Sequence, residues 1–316
     1  MRTVLEKGRP QAGIMKRLTV RHLTTYRYAR PVTFGPHRLM LRPRDSHDLR
    51  LVRTELTLSP PARMRWLHDV YGNSVAIADF IDQASELTIA SVLHLERYAL
   101  ERPIFELDED ARTYPFVYSS EDRTDLGRLL ERHTPDPNGV LDEWARGFVM
   151  SKQTDTLALL ADINIGIKSQ LTYNARDEEG TQTPLETLER RSGTCRDYAY
   201  LMMETVRSLG FGARFVTGYL YDPKLDAGGD DGILGAGATH AWCEVYLPGA
   251  GWVEYDPTNA IIGGEALIRV AVTRDPSQAS PIAGSYDGEL NDYLGMNVEV
   301  TVTSGEAQQP AQMAAE

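Results

Sequence analysis

The sequence predicts an α+β fold in which an antiparallel β-sandwich is followed by a second domain of helices and strands. Apolar residues alternate with period two through the N-terminal third, which is typical of half-buried strands. After about residue 120 the apolar spacing becomes helical. A helix-like segment and three strand-like segments then occupy residues 195–256. These three observations predict separate β-rich and mixed domains.

The alternating segments of the N-terminal part are residues 18–28, 49–58, 74–81 and 87–95. Turn residues separate them, including Pro60-Pro61 and Tyr71-Gly72-Asn73. Short strands at this spacing predict an antiparallel sandwich. We therefore expect a β-rich domain over residues 15–105, preceded by residues 1–14 as a disordered arm or as an extension upstream of the true start.

The second domain, over residues 120–300, begins with helical spacing at residues 126–130 and 141–148, and three further helices and three strands are predicted after it. The helices cover residues 154–171, 183–188 and 195–209, and Gly210 stands where a helix commonly ends. The strands cover residues 213–220, 239–247 and 251–256, and the Gly- and Asp-rich stretch 222–238 is predicted to be a mobile loop. The Gln- and Ala-rich residues 304–316 are predicted to be a disordered tail.

The composition excludes several classes of protein. The net charge of −12 argues against nucleic acid as a partner, because phosphate binding needs clustered Lys and Arg. The basic stretch 38–50 is interrupted by Asp45 and Asp48, so we interpret it as a solvated loop. Two cysteines are too few for a secreted disulfide scaffold. With no signal-peptide pattern and no long apolar run, we expect a cytoplasmic protein that does not contact a membrane.

Cys195 is the first candidate for a catalytic residue. It follows a Gly-Thr turn and begins a predicted helix, where backbone N–H groups and the helix dipole stabilise a thiolate. The thiolate is the nucleophilic form of cysteine, and the Cys195 N–H can face a developing oxyanion. The alternative is a small buried residue that packs the helix start.

His240 is the second candidate, and it is the last histidine in the chain. On a strand it shares one face with Trp242, Glu244 and Tyr246, which is a polar and aromatic set expected to face a cleft. The opposite face, which contains Cys243, is small and apolar and is expected to face the core. Cys243 is therefore predicted to be structural.

Asp256 would complete a triad by fixing the tautomer of the histidine. The turn at residues 248–251 decides whether it can. A four-residue loop places Asp256 opposite Cys243, on the wrong face, whereas a three-residue loop places it opposite Trp242 and diagonal to His240. We predict an odd-length loop or a bulge here. The alternative is that Asp256-Pro257-Thr258 only starts a turn.

Four ordered motifs around these residues resemble the bacterial transglutaminase-like family. They are Gly193-Thr194-Cys195-Arg196-Asp197, residues 210–219, Thr239-His240-Ala241-Trp242, and residues 251–258. The N-terminal part also resembles the β-rich domain found with this core in bacteria. The resemblance implies a papain/transglutaminase-like core, with the nucleophile at a helix N-terminus packed on an antiparallel sheet, and a Cys195–His240–Asp256 triad.

The implied activity is acyl transfer from a protein or peptide amide through a thioester, by a peptidase, an amidase or a transamidase. We expect no cofactor and no metal, since Asp226, Asp230 and Asp231 lack a calcium-ligand spacing. A scaffold that only binds peptides or partners is the main alternative, and an acetyltransferase is another. Two further residues are candidates for the oxyanion site or the cleft wall: Tyr173 and Trp242. Arg196 and Asp197 are expected to stabilise the helix start.

Overall fold

The computed structural model describes residues 15–98, 103–175, 180–226, 233–235 and 237–305, apart from the side chain of Leu290. The expected arm, residues 1–14, and most of the expected tail, residues 306–316, lie outside the described residues. The N-terminal strands are β1 (Lys16–Phe34), β2 (His37–Arg42), β3 (Leu49–Ser59), β4 (Ala62–His68), β5 (Ser74–Phe80) and β6 (Ala84–Arg97).

The N-terminal strands form two antiparallel sheets that pack face to face, which confirms the predicted sandwich. One sheet pairs β1 with β6 and β6 with β3, and the other pairs β5 with β2 and β4. Apolar residues from β1, β2, β5 and β6 fill the space between the sheets, among them Phe34, Leu39, Ala78 and Ile89. The period-two alternation of the sequence thus has its cause in this buried layer.

The second part of the chain contains helices and shorter strands. They are β7 (Thr113–Tyr114), α1 (Ser120–Leu126), α2 (Val140–Arg146), β8 (Thr154–Asp155), α3 (Thr156–Gln170), β9 (Thr172–Tyr173), α4 (Pro184–Arg190), β10 (Ser192–Gly193), α5 (Cys195–Ser208), β11 (Ala213–Leu220), α6 (Pro223–Asp226), β12 (Thr239–Leu247), β13 (Gly251–Asp256), β14 (Ile261–Ile262) and β15 (Leu267–Thr273). Short 3-10 helices cover Glu109–Ala111, Gly127–Leu130, Pro276–Ala279 and Leu290–Asp292.

Helix α5 packs on a five-stranded antiparallel sheet with the order β14-β13-β12-β11-β15. Tyr198, Met202 and Val206 of the helix are buried against Phe215 of β11 and Val245 of β12. The helix is buried on nearly all sides because α2, α3 and α4 cover it from the other side. Its first residue therefore has a fixed position relative to the sheet.

The C-terminal segment differs from the expected domain boundary. The last strands, β16 (Ile282–Ala283), β17 (Tyr286–Asp287) and β18 (Tyr293–Ser304), pair with β2 and β1 of the sandwich, and β18 follows β1 from Leu18 to Tyr28. Residues 282–304 thus complete the N-terminal sheets, although residues 282–300 were assigned to the second domain. Their pairing partners are more than 200 residues away in the chain, so local patterns could not reveal this return.

The basic stretch 38–50 also differs from the expected solvated loop. Strand β2 covers its first five residues, from Arg38 to Arg42, and Leu39 and Leu41 of this strand are buried in the sandwich. The two arginines of β2 stand at either end of Leu39-Met40-Leu41, so a stretch that is basic in composition contains a buried apolar segment.

The sandwich and the second domain share a buried interface. Tyr219 of β11 bonds through its hydroxyl to Nδ1 of His22 on β1, at 2.9 Å. Arg97 of β6 is buried and donates to the carbonyls of Gly264 and Leu267, at 3.0 and 2.8 Å. These hydrogen bonds cross the boundary between the two parts of the chain. The sandwich therefore packs against the sheet that carries the site. None of the helices in the described part of the chain is long and apolar enough to span a membrane.

Candidate active site

Cys195 is the first residue of α5 and lies at the bottom of a cleft. Its side chain is buried apart from 8% of its surface. The first N–H groups of a helix lack partners within the helix, so the Cys195 end presents donors and a positive dipole. These features are what the sequence predicted for this position.

The start of α5 is fixed by Asp197. Its carboxylate accepts from the N–H and the hydroxyl of Thr194, at 2.8 and 3.0 Å, and from both nitrogens of Gln182, at 2.7 and 2.9 Å. Gly193 is needed here because a Cβ at this position would lie 2.8 Å from Cβ of Asp197. Arg196 donates to the carbonyl of Pro276 and the hydroxyl of Thr181. Both residues thus hold the nucleophile-bearing turn, as the sequence suggested.

The hairpin of β12 and β13 brings His240 and Asp256 together. Leu247 pairs with Gly251, so the loop between the strands has three residues. The prediction of an odd-length loop is therefore confirmed. Continued by one residue, this register places Asp256 opposite Trp242 and diagonal to His240.

His240 and Asp256 form a buried hydrogen-bonded pair. The His240 Nε2 atom lies 2.9 Å from Asp256 Oδ2, and the two side chains are fully buried. Burial alone lowers the pKa of His240, but the Asp256 carboxylate and the nearby Cys195 outweigh it and raise the pKa to about 10. Burial likewise acts to raise the pKa of Asp256, but His240, Asn259 and the backbone of Thr258 hold it below its usual value. The pair therefore stabilises the protonated, positively charged form of the His240 ring.

The other ring nitrogen of His240, Nδ1, has no hydrogen-bond partner among the described residues. Cys195 and His240 line the same cavity, which has a volume of about 190 Å³. The remaining lining is mostly small or hydroxyl-bearing, and consists of Tyr173, Ala175, Gly180, Thr194, Arg196, Thr217, Thr239 and Ala241. The Cys195 thiol also interacts closely enough with the ring to raise the pKa of His240, so the two groups lie within reach for proton transfer.

Tyr173 lies in this cavity, as expected for an oxyanion candidate. Strand β9, which carries it, pairs with β10 just before Cys195. Burial, followed by the charges of Cys195 and Asp256, raises the pKa of Tyr173 to about 12. The phenol therefore stays protonated at neutral pH and can donate a hydrogen bond to a negative oxygen.

Trp242 does not wall the cleft, which corrects its assignment as a cleft residue. Its side chain is fully buried and stacks on His240 with ring centres 6.1 Å apart. It belongs to an apolar cluster with Val216, Leu220 and Leu267, behind the histidine. Tryptophan supplies a flat, large surface for this packing, so its role is to support the ring of His240 from behind.

The polar face of β12 was also misjudged, because a polar set need not face solvent. Glu244 is fully buried and pairs with Arg214 and, at 2.8 Å, with Arg269. A buried carboxylate flanked by two guanidinium groups is a structural ion network. Cys243, on the other face, is fully buried, and burial raises the pKa of its thiol.

Two residues near the triad were missed in the sequence. Asn259 donates to Asp256 Oδ2 at 2.8 Å, and Gly235 lies directly beside the ring of His240. The position of Asn259, three residues after Asp256, was a usable signal, because a short amide at this distance can reach back to a carboxylate. Gly235 gave no signal, since it was one of several glycines in a predicted loop.

No group of three or more His, Cys, Asp or Glu side chains that could hold a metal ion occurs among the described residues. Asp226 instead accepts from the N–H of Ser304, at 2.9 Å, and thus ties α6 to β18. Asp230 and Asp231 lie outside the described residues.

Two family models match the β-rich part and the mixed part of the chain separately. Residues 18–96 match the bacterial transglutaminase-like N-terminal region, and residues 142–257 match the transglutaminase-like superfamily. The second match contains Cys195, His240 and Asp256.

Similar proteins cover nearly the whole chain. An uncharacterized protein of Mycobacterium leprae is 29% identical over 292 residues, which are 91% of this chain and 99% of that protein. An uncharacterized protein of Mycobacterium tuberculosis is 29% identical over 306 residues, or 92% of this chain and 94% of the relative. A putative cysteine protease from Cytophaga hutchinsonii superposes with a TM-score of 0.66 at 17% identity, covering 94% and 93% of the two chains. At that identity the likeness concerns the fold.

Proposed function

We propose that this chain, whose residues 142–257 match the transglutaminase-like superfamily, is a cysteine-nucleophile acyl-transfer enzyme acting on a protein or peptide amide. The family match supports a cysteine-based enzyme fold. The activity itself is our inference from the arrangement of three side chains.

The observation that carries the proposal is the state of the His240 ring. Its Nε2 is held by Asp256 at 2.9 Å, while Nδ1 is left without a partner among the described residues at the cavity that Cys195 lines. A histidine with a purely structural role satisfies both nitrogens when it is buried, as His22 does with Tyr219 and Thr24. Nδ1 of His240 instead has the Cys195 thiol as the neighbouring group that raises the pKa of the ring, which points to use in proton transfer.

In the proposed reaction, His240 holds the proton of the thiol on Nδ1 as an imidazolium, and the Cys195 thiolate attacks the amide carbonyl carbon. The carbonyl oxygen becomes negative and is stabilised by the N–H of Cys195 and the hydroxyl of Tyr173. His240 then returns the proton to the amine, which leaves as the C–N bond breaks. A thioester between the acyl group and Cys195 remains, and Asp256 keeps the imidazolium oriented and compensated during the cycle.

The second half of the reaction ends on water or on an amine. Attack by water regenerates the thiol and releases an acid, as in a peptidase or amidase, and attack by an amine gives a new amide, as in a transamidase. Among the described residues, the cavity walls around Cys195 and His240 are mostly neutral, with Arg196 as the charged side chain. We propose peptidase or amidase activity as the first assay, with primary amines added as competing acceptors.

Alkylation with iodoacetamide tests the proposal without knowledge of the substrate. Cys195 should react at pH 6, where an ordinary thiol is almost entirely protonated, and His240→Ala should remove this advantage. Cys243 provides an internal control, because it is fully buried and far from ionised. Equally slow alkylation of Cys195 in the wild type and in His240→Ala would favour the alternative, a binding scaffold without catalysis.

A further inference from the structure

We propose that Asn259 is a positioning residue of this site, which aligns Asp256 and holds the backbone of Leu234 and Gly235 against His240. The proposal rests on the acyl-transfer function above, because it assigns a role within the same site. Nothing in the triad itself requires a fourth residue.

Both the nitrogen and the oxygen of the Asn259 side-chain amide make hydrogen bonds. Nδ2 donates to Asp256 Oδ2 at 2.8 Å and to the carbonyl of Leu234 at 3.0 Å, while Oδ1 accepts from the N–H of Leu234 at 3.1 Å. The orientation of the amide follows from its partners, because a carboxylate only accepts and a backbone N–H only donates. One side chain therefore joins the triad carboxylate to a separate segment of the chain.

The bond to Asp256 fixes the carboxylate that orients the histidine. Oδ2 receives both His240 Nε2 and Asn259 Nδ2, and Oδ1 receives the N–H of Thr258 at 2.9 Å. Three donors restrict rotation of the carboxylate, since each of its oxygens accepts at least one hydrogen bond. Among the described residues, Asn259 supplies the one side-chain donor to this carboxylate apart from the histidine.

The bonds to Leu234 place the next residue against the histidine. A Cβ built on Gly235 would lie 2.6 Å from His240 Nδ1, and the backbone there has φ +86°. Only glycine combines that conformation with so close an approach. The segment is anchored on its other side as well, because the N–H of Ile233 donates to Asp222 and the side chain of Ile233 packs near Trp242.

Asn259 thus acts on His240 from two directions. It positions Asp256 at the Nε2 side of the ring, and through Leu234 it positions Gly235 at the Nδ1 side. The ring is supported from behind by Trp242. Loss of the amide would free both sides at once while leaving every group that reacts in place.

The first test replaces Asn259 by alanine and follows iodoacetamide alkylation of Cys195 from pH 5 to pH 9. We expect the rate at pH 6 to fall about 10- to 100-fold, because a hydrogen bond to a charged group is lost. Lys168→Ala is the matched control, since Lys168 donates to the main-chain carbonyl of Asn259 at 3.0 Å and does not contact its amide. The control should keep the wild-type profile, and thermal unfolding of each variant establishes that it is folded.

Asn259→Asp separates positioning from a general loss of structure. The new carboxyl keeps the shape and the acceptor for Leu234 but repels Asp256 when ionised. The rate should therefore be depressed at pH 7 and recover relative to Asn259→Ala at pH 5, where a protonated carboxyl can donate to Asp256. A merely structural role predicts the same profile for both variants.

The second test compares two glycines with the same backbone strain. Gly235→Ala introduces a Cβ against the His240 ring, whereas Gly237→Ala introduces one at φ +89° with no atom within 4 Å. Both substitutions carry the cost of a left-handed alanine, so their difference measures the contact with His240. We expect Gly235→Ala to slow alkylation at pH 6 at least 10-fold more than Gly237→Ala.

The outcomes distinguish the two levels of the proposal. If wild-type Cys195 shows no enhanced alkylation at pH 6, the acyl-transfer function fails. If the wild type is enhanced and folded Asn259→Ala and Gly235→Ala match their controls, the positioning role of Asn259 fails and the triad stands. The proposal is supported if both variants lose the enhancement and the controls keep it.

Discussion

Replacing Asp256 by asparagine keeps the shape of the side chain and removes its charge. The oxygen of the new amide can still accept from Thr258, as Oδ1 of Asp256 does at 2.9 Å. Its nitrogen then faces two groups that both donate to Oδ2 in the wild type, Nε2 of His240 and Nδ2 of Asn259. His240 must turn or carry its proton on Nδ1, and in that tautomer it cannot accept the thiol proton.

The expected fall in the alkylation rate follows from the raised pKa of His240. Burial opposes the charged ring, yet Asp256 and Cys195 raise the pKa from 6.5 to about 10. That difference corresponds to about 5 kcal/mol of preference for the imidazolium. If half of it stabilises the reactive thiolate–imidazolium pair, its loss lowers the amount of that pair about 70-fold. Asp256→Asn should therefore reduce the alkylation rate of Cys195 at pH 6 by about this factor.

The assay is the time course of iodoacetamide incorporation at Cys195, followed by mass spectrometry of the peptide. Urea unfolding of the same variant checks that the fold is retained. A folded Asp256→Asn protein that reacts within 2-fold of the wild type, a margin well below the expected effect, would refute the role given to the carboxylate.

The remaining predictions concern the oxyanion, pH and the buried ion network. Tyr173→Phe should lower kcat about 10-fold or more on an ester substrate with little change in KM, because the hydroxyl acts on the transition state. An unchanged kcat would remove Tyr173 from the mechanism. Since the pKa of His240 is raised to about 10, its contribution to stability is complete below pH 6.5 and is lost as the pH rises toward 10. The difference in urea midpoint between wild type and His240→Ala should shrink over that range, and parallel curves would contradict the raised pKa. Glu244→Gln should destabilise the protein by about 3 kcal/mol in urea, because it removes the buried carboxylate that pairs with Arg214 and Arg269. A loss below about 1 kcal/mol, the level of an exposed ion pair, would indicate a solvated network.

Local patterns were sufficient for the elements that carry the site. Alternation located β12 and β13, and helical spacing located α5 with Cys195 at its start. The register of the hairpin could be reduced to two alternatives from the loop length, and the structure has the three-residue loop. These features depend on neighbours within about 20 residues, which is why the sequence reveals them.

Long-range features could not be predicted in this way. β18 pairs with β1 across almost the whole chain, and Glu244 finds its two arginines on other strands. Trp242 was assigned to the cleft because the face it shares with His240 was assumed to be exposed. The sandwich packs behind that side of the sheet, so a face that looks polar in one strand is buried in the folded protein.

The central claim is that Cys195 forms a thioester with its substrate, and intact-mass spectrometry tests it most directly. The protein is mixed with p-nitrophenyl acetate, quenched in acid within seconds and weighed. The account predicts one acetyl group on Cys195 that hydroxylamine removes, no adduct in Cys195→Ala, and slower formation in His240→Ala. Acetylation that is the same in all three proteins, or that maps away from Cys195, would contradict it.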